Sequence, residues 1–152
     1  MSQVTEHLEA RGIEFEVLPH EPTNTSLAEA HVLGVPEDSV AKTVVLDIRT
    51  GHAFAVLPAD CQLDLDKVKE AINSRHVELA TEDEIERDYP EFELGAIPPL
   101  GQLVHTPLIV DPKVIDHDEI IFAAGSQDES VKMKTRDLFE FVNAKVADIC
   151  AD

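Results

Sequence analysis

Two apolar, β-branched runs joined by a tight turn set the first constraint on this chain. Val40-Ala41-Lys42-Thr43-Val44-Val45-Leu46 leads to Arg49-Thr50-Gly51, and His52 to Leu57 follows. The spacing predicts a hairpin of two buried strands over 42–48 and 52–57. Lys42 stands out inside it, because burying an uncompensated ammonium costs on the order of several kcal/mol. Either its stem packs on an edge strand while the ammonium reaches water, or the cation lines a pocket. In the second case it binds a phosphate or a carbonyl oxygen as a point charge.

Gly95-Ala96-Ile97-Pro98-Pro99-Leu100-Gly101 is the second unusual stretch. It reads either as a surface turn of turn-forming residues or as a stiff wall of backbone groups that a ligand approaches closely. Preorganised amides of that kind stabilise oxyanions, one donor being worth roughly 3 kcal/mol in known hydrolases. Gly125-Ser126 ends an apolar strand, which suits a ligand contact and a plain turn equally. Among the histidines, His20 beside Pro19 at a strand end is the candidate, as a loop residue or as a substrate contact. No histidine falls at metal-ligand spacing and there is no HExxH or Cys/His cluster, so no metal or other cofactor is expected. A GxSxG elbow, a Walker loop and a GxGxxG are also missing from the sequence.

The remaining elements follow from local chemistry. Ser2 to Arg11 reads as an amphipathic helix stopped by Gly12. Ile13 to Leu18 alternates with period two and reads as a half-buried strand. Ser26-Leu27-Ala28-Glu29 spells a capping box for a helix ending at Gly34. Asp64 caps a helix over 65–73, Val77 to Ala80 is a short strand, and Thr81-Glu82-Asp83-Glu84 is a second capping box. Strands are expected over 107–111, 119–124 and 130–134. Thr135 then caps a last amphipathic helix with Leu138, Phe139, Val142 and Val146 facing inward. Irregular interleaving and hairpins favour an α+β fold: a single domain over residues 1–152, with a mixed, partly antiparallel central sheet and flanking helices.

Composition narrows the function classes. At 152 residues and 43% hydrophobic content the chain has material for a real core. No apolar run approaches the roughly 20 residues that span a bilayer, and the N-terminus lacks a signal-peptide pattern. Cys61 and Cys150 are read as reduced thiols, and a cytoplasmic location is expected. The formal charge of −19 argues against broad nucleic-acid binding, and no DNA partner is expected, because such binding uses Lys and Arg to displace counterions. The acidity suits a solubility coat or salt adaptation.

The chain resembles the YbaK/ProX family of aminoacyl-tRNA editing domains, also found inserted in bacterial prolyl-tRNA synthetases. The residues that carry the resemblance are Ala41-Lys42-Thr43-Val44-Val45-Leu46, Ala55-Val56-Leu57-Pro58-Ala59, Leu63-Asp64-Leu65-Asp66-Lys67-Val68, the segment Gly95 to Gly101, and Ala124-Gly125-Ser126. They run in order over nearly the whole chain. The resemblance implies a trans-editing hydrolase that deacylates mischarged aminoacyl-tRNA, commonly tRNA for proline. It implies that Lys42 holds the terminal adenosine or its phosphate. Gly95, Ala96, Ile97, Pro98 and Pro99 match a GxxxP loop that binds the aminoacyl end, and Gly125 and Ser126 match a segment near the pocket. The implied partners are the 3′ end of aminoacyl-tRNA and an aminoacyl-tRNA synthetase. Many members carry a histidine shortly after this glycine, where this chain reads Gln127-Asp128-Glu129. That departure keeps open a non-catalytic module binding an aminoacyl- or nucleotide-like ligand.

Overall fold

The computed structural model describes residues 2–152. The chain runs α1 (Gln3–Ala10), β1 (Phe15–Pro19), α2 (Ser26–Leu33), β2 (Ala41–Ile48), β3 (Gly51–Pro58), α3 (Leu65–Ile72) and β4 (Val77–Leu79). It continues through α4 (Glu82–Asp88), β5 (Leu108–Val110), α5 (Pro112–Ile115), β6 (Glu119–Ala123), β7 (Glu129–Lys134), α6 (Thr135–Phe141) and β8 (Ala144–Val146). The α+β class is as expected. The strands divide into two sheets, ordered β1-β7-β6 and β4-β2-β3-β5-β8.

The five-stranded sheet is mixed. The hairpin pairs β2 with β3 antiparallel from Ala41↔Pro58 to Ile48↔Gly51, whereas β3–β5 and β5–β8 are parallel. Its central strands are buried on both faces, which explains their continuous apolar sequence. Val45, Phe54, Val56, Leu108 and Val110 face the main core, where α1, α6 and the three-stranded sheet pack. Leu46, Ala55 and Ile109 face the opposite way, against Val68 of α3 and Ile149. A parallel bridge between Val40 and Ile121 joins the two sheets, just ahead of Lys42.

Local capping chemistry sets most helix ends. Asp64 accepts from the Asp66 and Lys67 amides, and Thr81 with Glu84 forms the expected box. Two readings are corrected. The cap of α2 is Thr25, which accepts from the Ala28 amide. Glu29 therefore falls one position too far along the helix to reach back, and turns inward instead, 2% exposed. The last helix begins after Lys134 as N-cap and ends at Phe141. Val146 lies in β8, 54% exposed, because the segment pairs with the free edge of β5. Asp111, 1% exposed, draws the tail in by accepting from the Ile149 and Cys150 amides at 2.9 and 3.1 Å.

Candidate functional site

The edge of β2 is open beside Lys42. Strand β4 pairs with β2 only at Leu46–Ile48, so the Lys42–Val44 stretch borders a cavity of about 350 Å³. The first turn of α2 (Thr25, Ser26, Leu27) forms one wall, Gly95 and Ile97 another, and Ala123 at the end of β6 the floor. Among the lining residues Lys42 alone is charged. Its side chain is half-buried, and among the described residues no carboxylate lies within ion-pair distance of its ammonium. In a chain of net charge −19, a cavity whose sole charge is an unpaired cation offers a point charge that suits an anionic or carbonyl oxygen.

Three loops form the rim and lock one another. The Gly125 amide donates to the Ala96 carbonyl at 3.0 Å, and the Glu93 amide to the Gly125 carbonyl at 2.9 Å. Gln127 Nε2 donates to the Leu94 carbonyl at 2.9 Å, while its backbone N–H donates to Glu93 Oε1 at 2.8 Å. The Thr23 amide donates to the Gln127 carbonyl at 2.8 Å, and the His20 amide to the Asp128 carbonyl at 2.9 Å. Gly95 has φ +76°, and a Cβ there would lie 2.0 Å from the Asn24 carbonyl oxygen. Only glycine lets these two backbones approach so closely.

The residues singled out from the sequence thus fall into four positions. Lys42, Gly95 and Ile97 line the cavity together. Ala96, Pro98 and Pro99 are buried behind it, so the paired prolines stiffen the wall from inside. Gly125 and Ser126 belong to the neighbouring loop, where Ser126 Oγ donates to Asp128 Oδ1 at 3.0 Å. His20 is held from both ring nitrogens, Nδ1 lying 2.7 Å from the Glu21 carbonyl oxygen and Nε2 2.8 Å from Ser130 Oγ.

Sequence reading misses Asn24, Gln127, Glu29 and Ser130. Their partners lie far along the chain, Ser130 and Glu29 being 101 residues apart, so no spacing could expose them. The Glu29 carboxyl is pushed up to about 7, because burial outweighs the lowering by the Ser130 hydrogen bond and the His20 charge.

A separate cluster lies five residues along β2 from Lys42, roughly 16 Å away at strand rise. Asp47, His52 and Glu84 each bring one potential metal-ligand atom within 4.8 Å of the others. His52 Nε2 is hydrogen-bonded to Asp88 Oδ2 at 2.8 Å, while Nδ1 lies 2.9 Å from Asp47 Oδ1 without hydrogen-bond geometry. Burial alone would lower its pKa, but the hydrogen bond to Asp88, with the Leu46 backbone and the nearby carboxylates, raises it. The His52–Asp88 hydrogen bond ties α4 to the hairpin.

A family model described as an aminoacyl-tRNA editing domain matches residues 20–141. Over 135 residues the chain is 32% identical to the multifunctional Ser/Thr-tRNA deacylase ProXp-y of Escherichia coli strain K12, covering 86% of this chain and 80% of that protein. A proline–tRNA ligase of Fervidobacterium nodosum is 31% identical over 93 residues, 61% of this chain but 16% of the ligase. The crystal structure of a hypothetical protein, APE2540, superposes with a TM-score of 0.88 at 27% identity, covering 97% of this chain and 99% of that one.

Proposed function

This chain belongs to the aminoacyl-tRNA editing domain family, and on that premise we propose that it deacylates mischarged aminoacyl-tRNA in the cavity at Lys42. The carrying observation is the unpaired Lys42 ammonium as the sole charge in a cavity walled by the Gly95–Ile97 backbone. An aminoacyl ester is already activated, so its hydrolysis depends on positioning and charge stabilisation more than on a strong nucleophile. In this reading Lys42 holds the terminal adenosine or its phosphate, and the loop backbone polarises the ester carbonyl. Water adds to that carbon, the bond to the ribose oxygen breaks, and the ribose oxygen takes up a proton. The products are free amino acid and uncharged tRNA.

The charge of −19 weakens contact with the tRNA body, since duplex binding relies on displaced counterions. Two features of the reading accommodate this. Only the single-stranded 3′ end enters the cavity, and a synthetase holds the remaining tRNA and raises its effective concentration. The match to part of a proline–tRNA ligase supports tRNA for proline and its synthetase as the first pair to test. A panel of mischarged tRNAs, with and without synthetase, separates the alternatives. Release of amino acid supports the proposal, whereas binding without release identifies a non-catalytic module.

A further inference from the structure

The hydroxyl of Ser130 lies between two other side chains, and the hydrogens do not add up unless the group carries an additional proton. Ser130 is fully buried and Glu29 is 2% exposed. Ser130 Oγ is 2.5 Å from Glu29 Oε2 and 2.8 Å from His20 Nε2. The other ring nitrogen of His20 is 2.7 Å from the Glu21 carbonyl oxygen. A carbonyl oxygen only accepts, so Nδ1 carries a hydrogen. The contacts on either side of Ser130 each need a hydrogen, and the hydroxyl has one. The second sits on Glu29, as a carboxylic acid donating to Ser130 while Ser130 donates to His20. Otherwise it sits on His20 Nε2, as an imidazolium donating to Ser130 while Ser130 donates to the carboxylate. Two hops through Ser130 interconvert these states without changing the total charge.

We propose that Glu29, Ser130 and His20 form a shared-proton relay that holds the cavity wall in place, with Glu29 and Ser130 as positioning residues for the deacylation. The role in deacylation rests on the function proposed above; the relay itself does not. Glu29 anchors α2 one turn beyond Thr25, Ser26 and Leu27, which line the cavity. His20 anchors the loop whose Asn24 carbonyl packs on Gly95. Losing the shared proton leaves one of the two contacts without a hydrogen, beside a carboxylate removed from water.

The surrounding charges are turned elsewhere. Lys132 on β7 pairs with Glu119 on β6 at 3.8 Å, Glu93 accepts from the Gln127 amide, and Asp128 accepts from Ser126. His31, on α2 itself, is exposed. His20 is the charge that acts on the carboxyl. Because that carboxyl's folded value of about 7 lies above its ordinary 4.5, the stability it supports is complete below 4.5. It is lost as pH rises through about 7.

The test compares wild type with Glu29→Gln in melting temperature and in deacylation across pH. A glutamine amide donates to Ser130 permanently, as the carboxylic acid does, so every contact is satisfied with a neutral histidine. Between pH 5 and pH 8 the melting temperature of wild type should fall relative to E29Q by about 5 °C. The wild-type rate, after subtraction of uncatalysed hydrolysis, should fall about tenfold from pH 6 to pH 8. E29Q should hold its pH 8 rate within about twofold of its own pH 6 rate. Parallel pH profiles for the two proteins in both measurements would overturn the relay. So would an E29Q protein that melts normally yet releases no amino acid at any pH, which would make the carboxyl a chemical participant. If wild type releases no amino acid while the melting-temperature difference appears, the relay stands and the deacylase reading fails.

Discussion

Replacing Gly95 with alanine tests whether the close approach of two backbones builds the cavity. Two costs add. Alanine at φ +76° carries about 1 kcal/mol of left-handed strain. Its Cβ would also lie 2.0 Å from the Asn24 carbonyl oxygen, against roughly 3.3 Å for a close carbon–oxygen contact. The 20–25 loop must therefore move by about 1.3 Å, which takes neighbouring hydrogen bonds beyond bonding distance. Losing two of the rim bonds, such as Thr23 N–H to Gln127 and His20 N–H to Asp128, costs about 1 kcal/mol each. The sum is about 3 kcal/mol, and a misplacement near 1 Å costs about 100-fold in rate. Gly12 is the control, since it has φ +67° and a Cβ added there would meet nothing within 4 Å. Thermal melts should place G12A about 2–4 °C and G95A about 6–12 °C below wild type. Single-turnover deacylation should fall about 100-fold for G95A and stay unchanged for G12A. If the two variants prove indistinguishable in both assays, the close-approach argument is wrong.

Asp111 and His52 provide further tests. Burial pushes the Asp111 carboxyl up, but hydrogen bonds from the Ile149, Lys113 and Cys150 amides outweigh it and hold the value below 3.8. Its stabilisation is therefore present above that pH and lost on acidification. Asp111→Ala should cost about 3 kcal/mol and release the tail to hydrogen exchange; an unchanged denaturation midpoint counts against the clasp. For His52 the folded value is raised above 6.5, so the α4 latch is complete below pH 6.5 and is lost as pH climbs past the raised value. An NMR titration of the imidazole should show a midpoint above 6.5 that drops in Asp88→Asn. A midpoint at or below 6.5 in the unaltered protein contradicts the latch.

Features that depend on neighbours in the chain are legible in the sequence. The hairpin, the Asp64 cap and the Thr81–Glu84 box are decided within a few residues, and each forms as read. The α2 cap is misread because Thr25 and Ser26 are both good capping residues and the Ser-x-x-Glu spacing favours the wrong one. Packing decides the matter, since Glu29 is drawn inward by a hydroxyl on β7. Val146 is misread for a similar reason: apolar spacing continues the helix pattern, while the open edge of β5 offers backbone partners. Lys42 is conspicuous as a charge in an apolar run. The residues that hold its surroundings in place, Asn24, Gln127 and Ser130, are ordinary polar residues until the fold brings the loops together.

The most direct test is single-turnover deacylation by Lys42→Ala on a mischarged tRNA that the wild type clears, with the melting temperature measured on the same sample. Loss of a charge-assisted contact worth about 3 kcal/mol should slow amino-acid release by about 100-fold or more, with the melt unchanged or slightly raised. A Lys42→Ala protein that folds normally and clears the tRNA within a few-fold of the wild-type rate would contradict the account.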